Sequence, residues 1–230
     1  MRFIKFLVLI LSCQISSLLA GEKDLYDFLW LDPDKSVFVL QNKLYPKDGS
    51  FYIDAGYLVN ITSNFQDTSG VQLKAGYYFT EEWAIEFAHL LYTNSSNTAL
   101  DSVQAVNEAV PFIRRPLSST SVFAIWTPFY GKINTFNNIY YFDFGFGVGT
   151  GIYKMESNLE TAEDVTTNIY ESESYTPVQL KATLQFHINK NLHLSLDFLN
   201  TNYQGNTPKN KNTKEWKQNN DFILSIGASF

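Results

Sequence analysis

The sequence of 230 residues carries a formal net charge of −6, and 16% of its residues are aromatic. This modest negative charge argues against nucleic acid as the main partner. The mean hydropathy of −0.15 is not that of a helical membrane protein. The single cysteine, Cys13, excludes a disulfide framework and a cysteine-based metal site.

The first twenty residues are typical of a secretory signal peptide. A basic start precedes a short apolar run, and an acceptable cleavage site ends at Ala20. The run is too short for a membrane-spanning helix, which takes about 20 apolar residues. Two alternatives stay open, namely a buried helix of the folded domain and export as a lipoprotein with the lipid on Cys13. We expect residues 1–20 to be a signal peptide.

Residues 21–49 do not alternate cleanly between apolar and polar side chains. We expect them to form a lead segment on the periplasmic side of the membrane. Within this segment, Val37 to Leu40 fit a short strand, a plug or a clasp.

From residue 50 onward, apolar and polar residues alternate with the period of two that is typical of a β-strand. About eight such segments follow one another: 51–59, 71–79, 83–92, 119–128, 139–152, 176–188, 192–199 and 222–230. Most have nine or so residues, which is the length that a tilted strand needs to cross a membrane.

The connections between these segments alternate in length. Tight turns are expected at 80–82 and 189–191, and a moderate connection at 129–138. The other connections are long and polar, near 60–70, 93–118, 153–175 and 200–220, with a short helix expected in 99–110. This regular alternation of short and long connections is typical of an up-and-down barrel, whose two ends differ in loop length. A β-sandwich with Greek-key connections does not require it. We therefore predict an all-β, antiparallel up-and-down transmembrane β-barrel of about eight strands over residues 50–230.

The inward face of this barrel is predicted to carry charged and polar residues. An eight-stranded barrel is only wide enough to be filled by its own side chains, and charges inside it must be paired. We expect a polar network that packs the lumen, with a narrow ion path or gate as the alternative. Its members are Asp54, Lys74, Glu86, Asp143, Lys181, His187, His193 and Asp197.

The stretch "YYFDFGFGVGTGIY" at 140–153 places a glycine at every second position. A dinucleotide-binding G-x-G-x-x-G would need a further glycine at 150 or 152, where the chain has Thr150 and Ile152. The period of two instead predicts a strand whose glycines face inward and leave room for bulky residues of other strands. The lumen glycines are Gly145, Gly147, Gly149 and Gly151.

Four features resemble the small outer-membrane β-barrel domain proteins of predatory and social Gram-negative bacteria. They are "VFVLQNKLYPKDGSFYIDAGY" (37–57), "GYYFTEEWAIEFA" (76–88), "WTPFYGKINTFNNIYYFDFGFGVG" (126–149) and the terminal Phe230. The resemblance implies an outer-membrane location and a barrel, with no assigned activity or catalytic residues. The terminal aromatic is similar to the signal that the barrel assembly machinery recognises in its clients.

The chain contains one motif that is partly similar to a catalytic motif. Outer-membrane lipid A deacylases place a His and a Ser two apart on a barrel strand, as in His193-Leu194-Ser195. Here the apolar Leu194 is expected to face lipid, so we expect its neighbours His193 and Ser195 to point inward. No cofactor or metal motif is present, and we do not expect an enzyme.

The expected function is therefore structural or interactive, with long polar loops at the cell surface. The alternatives are a narrow channel for ions or small solutes and a lipid A-modifying enzyme. The expected partners are outer-membrane lipids and lipopolysaccharide, together with the assembly machinery, and we expect a monomer. The lysines of the last long connection are expected to be solvated and to attract the acidic connection at 153–175, with contact to lipopolysaccharide phosphates as the alternative. These lysines are Lys209, Lys211, Lys214 and Lys217.

Overall fold

The structure, a computed structural model, describes residues 43–107, 110–135, 138–161, 169–207 and 210–230. The expected signal peptide, Cys13, the Val37 to Leu40 segment and Lys209 lie outside these residues. In the part of the chain that is described, no helix has the length and apolar character needed to cross a membrane.

Within the described ranges the chain forms nine β-strands and one α-helix. The strands are β1 (Phe51–Asn60), β2 (Gln66–Tyr78), β3 (Trp83–Ser96), β4 (Arg114–Thr135), β5 (Asn138–Ser157), β6 (Glu171–Tyr175), β7 (Val178–His187), β8 (Leu192–Thr207) and β9 (Asn210–Ser229). The helix α1 (Thr98–Asn107) follows β3, and Asn97 caps it by accepting a hydrogen bond from the Leu100 N–H at 3.1 Å. The helix expected in 99–110 is present, although 108–109 lie outside the described residues.

The strands close into a ring. Consecutive strands pair antiparallel, except that β6 and β7 do not pair with each other. The ring closes where β1 pairs with β9, so that Tyr52 lies opposite Ser229. The short β6 and the following β7 pair with successive parts of β5. Together they occupy one strand position, so the nine strands form an eight-stranded barrel. The predicted antiparallel up-and-down barrel of about eight strands is confirmed. We call the end with the tight turns the short-turn end and the opposite end the long end.

The outer face of the ring is apolar over the middle of the strands. On β8, for example, Leu192, Leu194 and Leu196 are exposed while His193, Ser195 and Asp197 are buried. Exposed aromatic side chains mark the short-turn end, where Trp83 and Trp126 stack with ring centroids 6.0 Å apart. The other aromatic residues of this girdle are Phe51, Phe79, Tyr140 and Phe230. This is the pattern of a barrel wall that faces lipid.

Several strands are longer than the sequence predicted. The connection expected at 129–138 is wrong, because β4 continues to Thr135 past an irregularity between Trp126 and Phe129. Likewise, β8 and β9 extend as a hairpin through most of 200–220. The β8–β9 extension carries mainly polar residues on both faces, so its hydrophobic alternation stops while the backbone pairing continues. In β4 the register shift breaks the alternation, because the exposed Trp126 and Phe129 are three positions apart.

Candidate functional site

Charged side chains from five strands meet in the middle of the barrel. Lys74 on β2 places its Nζ 2.8 Å from Asp197 Oδ2 and 3.1 Å from Asp54 Oδ2. Lys181 on β7 places its Nζ 2.5 Å from Glu86 Oε1. We call Asp54, Lys74, Glu86, Lys181 and Asp197 the central network, and each of its side chains is at most 3% exposed.

Neighbouring hydroxyl groups complete the hydrogen bonding of this network. Tyr52 donates to Glu86 Oε2 at 2.8 Å, and Thr183 donates to Asp197 Oδ1 at 2.6 Å. Buried ions are costly unless they are paired and their remaining hydrogen-bonding positions are filled. The central network satisfies both conditions, and its side chains bridge the lumen between strands on different sides of the barrel.

His193 and Ser195 both point inward from β8. His193 Nε2 lies 2.9 Å from Asp54 Oδ1, and Ser195 donates to Asp54 Oδ2 at 3.1 Å. Both residues are 1% exposed. Because a lipid-modifying serine must reach lipid, this inward orientation does not suit a deacylase, and the two side chains instead extend the central network.

A second cluster closes the short-turn end. His187 Nε2 lies 2.7 Å from Asp143 Oδ2, and Lys47 Nζ lies 3.0 Å from the same oxygen. Tyr45 stacks on the His187 ring at 5.0 Å between centroids. The sequence interpretation missed Lys47 and Tyr45, since they belong to the lead segment before the first strand.

Backbone contacts hold this part of the chain in place. The N–H groups of Lys47 and Asp48 donate to the Glu81 carboxylate at 3.1 Å, and the Leu44 N–H donates to Tyr130 Oη at 3.2 Å. We call residues 44–49 the strap. It lies across the short-turn end and places the Lys47 ammonium among inward-facing side chains.

An apolar cluster lies in the lumen on the long-end side of the central network. Leu58, Leu90, Leu199 and Ile223 point inward and are at most 1% exposed. Leu58 and Ile223 lie opposite each other on β1 and β9. Polar side chains are buried at the same depth, among them Gln72 opposite Leu90 on β2 and Gln179 on β7, so apolar and polar groups together pack this part of the lumen.

The four predicted lumen glycines lie on β5 beside inward side chains of β4. A Cβ at Gly147 would lie 2.7 Å from Ile125 Cδ1, and one at Gly149 would collide with the Phe123 ring. At Gly145 the nearest atom would be Thr127 Oγ1, at 3.0 Å, and at Gly151 the Thr120 carbonyl oxygen would clash. The missing side chains thus provide the space that β4 occupies.

Gly227 on β9 has a related role that sequence reasoning missed. A Cβ at this position would collide with Asp54 Oδ1 and His193 Nε2. The glycine therefore makes room for a buried ion-pair partner. The sequence pattern does not predict this role, because a single inward glycine near a strand end has many explanations.

At the long end, Arg114 and Glu173 form a pair outside the apolar belt. Arg114 Nε lies 2.8 Å from Glu173 Oε2, and Tyr175 and Ser157 also donate to this carboxylate. Burial alone would raise the pKa of Glu173, but the hydrogen bonds from Arg114, Tyr175 and Ser157 outweigh it and lower the pKa below its ordinary value. Glu173 is therefore an anion at neutral pH.

Little free space remains inside the barrel. Beside the central network, a cavity lined by Tyr52, Lys74, Glu86 and Asp143 encloses about 10 Å³, room for one water molecule at most. Among the described residues, no three His, Cys, Asp or Glu side chains are grouped to hold a metal ion.

A closed antiparallel ring with an apolar outer belt, an aromatic girdle and a charged interior defines a transmembrane barrel of the outer-membrane type. The chain belongs to the outer membrane protein beta-barrel domain family, whose model matches residues 38–230. It is accordingly a protein of the outer membrane. No curated protein matches the sequence.

Several solved structures are similar to this chain. Ail, the attachment invasion locus protein of Yersinia pestis, is 15% identical over 80% of this chain and 99% of its own, with a TM-score of 0.43. The N-terminal β-barrel domain of Pseudomonas aeruginosa OprF is 12% identical over 80% of this chain and 98% of its own, with a TM-score of 0.45. Neisserial surface protein A is 11% identical over 79% of this chain and 98% of its own, with a TM-score of 0.40.

Proposed function

We propose that this protein is a non-conducting outer-membrane barrel that presents its long end at the cell surface for interaction, and that it is not an enzyme. The observation that carries the proposal is the pairing of buried charges across the lumen, above all Lys74 with Asp197 at 2.8 Å. A channel needs a hydrated path with mobile or unpaired polar groups. Here the charges are engaged with one another, and an apolar cluster lies beyond them.

The orientation follows from the ends of the barrel. Outer-membrane barrels keep short turns on the periplasmic side and longer segments outside. The tight turns at 80–82 and at 189–191 lie at the same end as the start of β1 and the terminal Phe230. We place that end in the periplasm, with export directed by residues 1–20 and a lead segment over 21–49.

The proposed lipid partners match two surfaces. The apolar belt meets the membrane lipids, and the β8–β9 hairpin extends past the belt with Lys214 and Trp216. Trp216 is 65% exposed, and the exposed Lys214 lies two positions before it on the same face of β9. This combination suits the phosphate groups and sugar rings at the surface of lipopolysaccharide.

Phe230 is the proposed recognition signal for the barrel assembly machinery. Its N–H donates to the Phe51 carbonyl at 2.8 Å, while its side chain is 74% exposed. Phe230 thus extends the pairing of β9 with β1 and leaves its ring accessible. Because the ring of strands has no open edge within the belt, the barrel needs no second copy, and we propose a monomer.

The two alternative functions are tested by distinct measurements. A narrow channel would give a discrete, reproducible conductance in a planar bilayer. A lipid A-modifying enzyme would lose its activity in Ser195→Ala, which would also contradict the inward role of that serine. The proposed function predicts neither result.

Fractionation with surface proteolysis tests the location and the orientation together. The protein is expected in the outer-membrane fraction, with heat-modifiable migration on gels. In intact cells a protease should cut long-end connections, such as 97–113 and 158–170, and should spare the turns at 80–82 and 189–191. Cleavage at these turns in intact cells, or a protein soluble without detergent, would contradict the proposal.

A further inference from the structure

A cavity of about 260 Å³ opens at the long end of the barrel, apart from the central network. Its walls come from the β1–β2 connection, the segment before β4 and the extended part of β9. The chief lining residues are Phe65, Gln66, Phe112, Ile113, Arg114 and Lys217. All of them lie in the part of the chain that the structure describes.

Short-range hydrogen bonds hold two of these walls in place. Asn60 Oδ1 accepts from the N–H groups of Thr62 and Ser63 at 2.9 and 3.0 Å, which fixes the start of the β1–β2 connection. Asn158 Oδ1 accepts from the Ile113 N–H at 2.7 Å, and Asn158 Nδ2 donates to the Pro111 carbonyl at 3.0 Å. The cavity is therefore formed by the fold itself and does not need a ligand to shape it.

One polar atom in the lining lacks a partner. Gln66 is 5% exposed, and its Oε1 has no hydrogen-bond partner. A buried acceptor without a partner costs free energy, which a ligand that donates a hydrogen bond would recover. The cavity therefore favours a molecule that carries hydroxyl or amine donors.

The charges around the cavity decide between these two donors. Within the described part of the chain, the lining contains the cations Arg114 and Lys217 but no carboxylate that could pair with a ligand amine, which favours a hydroxyl donor. Each cation is already engaged, since Arg114 pairs with Glu173 at 2.8 Å and Lys217 pairs with Glu215 at 2.8 Å. The site thus offers hydrogen bonds without an uncompensated positive charge, and it has little to gain from an anion.

The remaining walls combine polar residues, such as Thr62, Ser63 and Asn219, with apolar ones. Phe65, Phe112 and Ile113 present ring and aliphatic surface, and the Arg114 guanidinium lies 5.1 Å from the centre of the Phe112 ring and holds it in position. Pockets for drug-sized ligands enclose about 300–1,000 Å³, so this one takes a smaller molecule. A pyranose ring matches these demands, because it combines apolar C–H faces with hydroxyl groups at its edge.

We propose that this cavity binds one neutral hexose unit, with a sugar hydroxyl donating to Gln66 Oε1 and the ring lying against the phenylalanines. The proposal deepens the proposed function and rests on it only in taking the long end as the face that meets the cell's surroundings. Binding is measured on purified protein, so a failure here leaves the non-conducting barrel untouched. Conductance and surface proteolysis test that part separately.

The test is saturation-transfer NMR on the refolded full chain in detergent, with the methyl glycosides of glucose, galactose and mannose as probes. At least one hexoside should receive saturation from the protein. Gln66→Leu should weaken its binding about tenfold, the effect of losing one hydrogen bond to a buried acceptor. Gln179→Leu is the matched control, since Gln179 Oε1 is also buried without a partner but lies away from the cavity.

Phe112→Ala provides a second variant in case Gln66→Leu does not fold, and heat-modifiable migration checks each barrel. This variant should also lose binding while keeping its fold. Three results would overturn the proposal: no hexoside binds the wild-type protein, the folded cavity variants bind as well as the wild type, or glucuronate binds more tightly than the neutral hexosides.

Discussion

Lys74 and Asp197 lie 123 positions apart in the chain, yet Lys74 Nζ is 2.8 Å from Asp197 Oδ2 inside the barrel. The pair crosses the lumen between β2 and β8, which are not neighbours in the ring. It is part of a network in which Asp54, Glu86 and Asp197 supply three carboxylates for the two ammonium groups of Lys74 and Lys181. The balance of charge inside the barrel therefore depends strongly on each lysine.

Lys74→Met should destabilise the barrel more than Asp197→Asn. Removing the lysine leaves three carboxylates facing one ammonium group, while removing one carboxylate leaves two facing two. Breaking a buried pair costs about 3–5 kcal/mol, and we expect Lys74→Met to reach that range. Urea unfolding in detergent measures both variants.

The control for this comparison is Lys132→Met, at an exposed position on β4. It should change the unfolding free energy by no more than about 0.5 kcal/mol. Equal effects of Lys74→Met and Lys132→Met would show that the buried lysine is not held by the network.

Gly147→Leu should impair folding. A Cβ at this position would lie 2.7 Å from Ile125 Cδ1 and 3.3 Å from Lys181 Cβ, so a leucine has no room. Overpacking of this kind costs about 1–3 kcal/mol or prevents assembly. The folded fraction is read from heat-modifiable migration, and the outward Val148→Leu should fold normally. Normal assembly of Gly147→Leu would contradict the inward placement of the glycines.

Asp143→Asn should loosen the Lys47 side chain, while the backbone of the strap stays bound to Glu81 and Tyr130. Lys47 Nζ lies 3.0 Å from Asp143 Oδ2, and its side chain is 5% exposed, so it should react slowly with an amine acetylating reagent. Without the carboxylate, the ammonium loses its ion pair with Asp143 and becomes more accessible. Mass spectrometry compares Lys47 with the exposed Lys190, whose acetylation should be the same in both proteins. Fast acetylation of Lys47 in the wild type would refute the strap.

The pair of Arg114 and Glu173 should stabilise the long end in a pH-dependent manner. The pKa of Glu173 is lowered in the folded protein, so its stabilising contribution is complete above the ordinary value of 4.5 and is lost as the pH falls through the lower folded value. Hydrogen exchange in 171–175 should be faster in Glu173→Gln than in the wild type at pH 7. After correction for intrinsic rates, this difference should shrink below about pH 4.5. A difference in exchange rate that stays the same below pH 4.5 would show that Glu173 stabilises this segment by packing and not by its charge.

The alternation of residues was enough to predict the ring and the two faces of its wall. Successive residues of a strand point to opposite faces, so Ser195 points inward because Leu194 points outward. The same alternation along β1 and β2 places Asp54 and Lys74 on the inner face. It could also have found the apolar cluster, because Leu58 shares a face with Asp54. It could not say which carboxylate meets which lysine, since that depends on the stagger of the strands around the closed ring.

Other features have no periodic signal at all. Lys47 reaches Asp143 through the strap, whose residues follow no strand pattern, and only the closed end of the barrel brings the two together. The β8–β9 hairpin beyond the apolar belt escaped detection because both of its faces are mainly polar. The end of β4 escaped detection because the register shift between Trp126 and Phe129 breaks the alternation. The cavity beside Gln66 depends on a connection and a hairpin that meet only after the barrel has closed.

The central claim is that paired charges and packed side chains close the lumen, and planar-bilayer recording tests it most directly. The refolded full chain should insert without producing discrete conductance steps, under conditions in which a porin reconstituted in the same way gives clear openings. Insertion is verified by heat-modifiable migration of protein recovered from the membranes. A discrete and reproducible single-channel conductance from the wild-type barrel would contradict the claim.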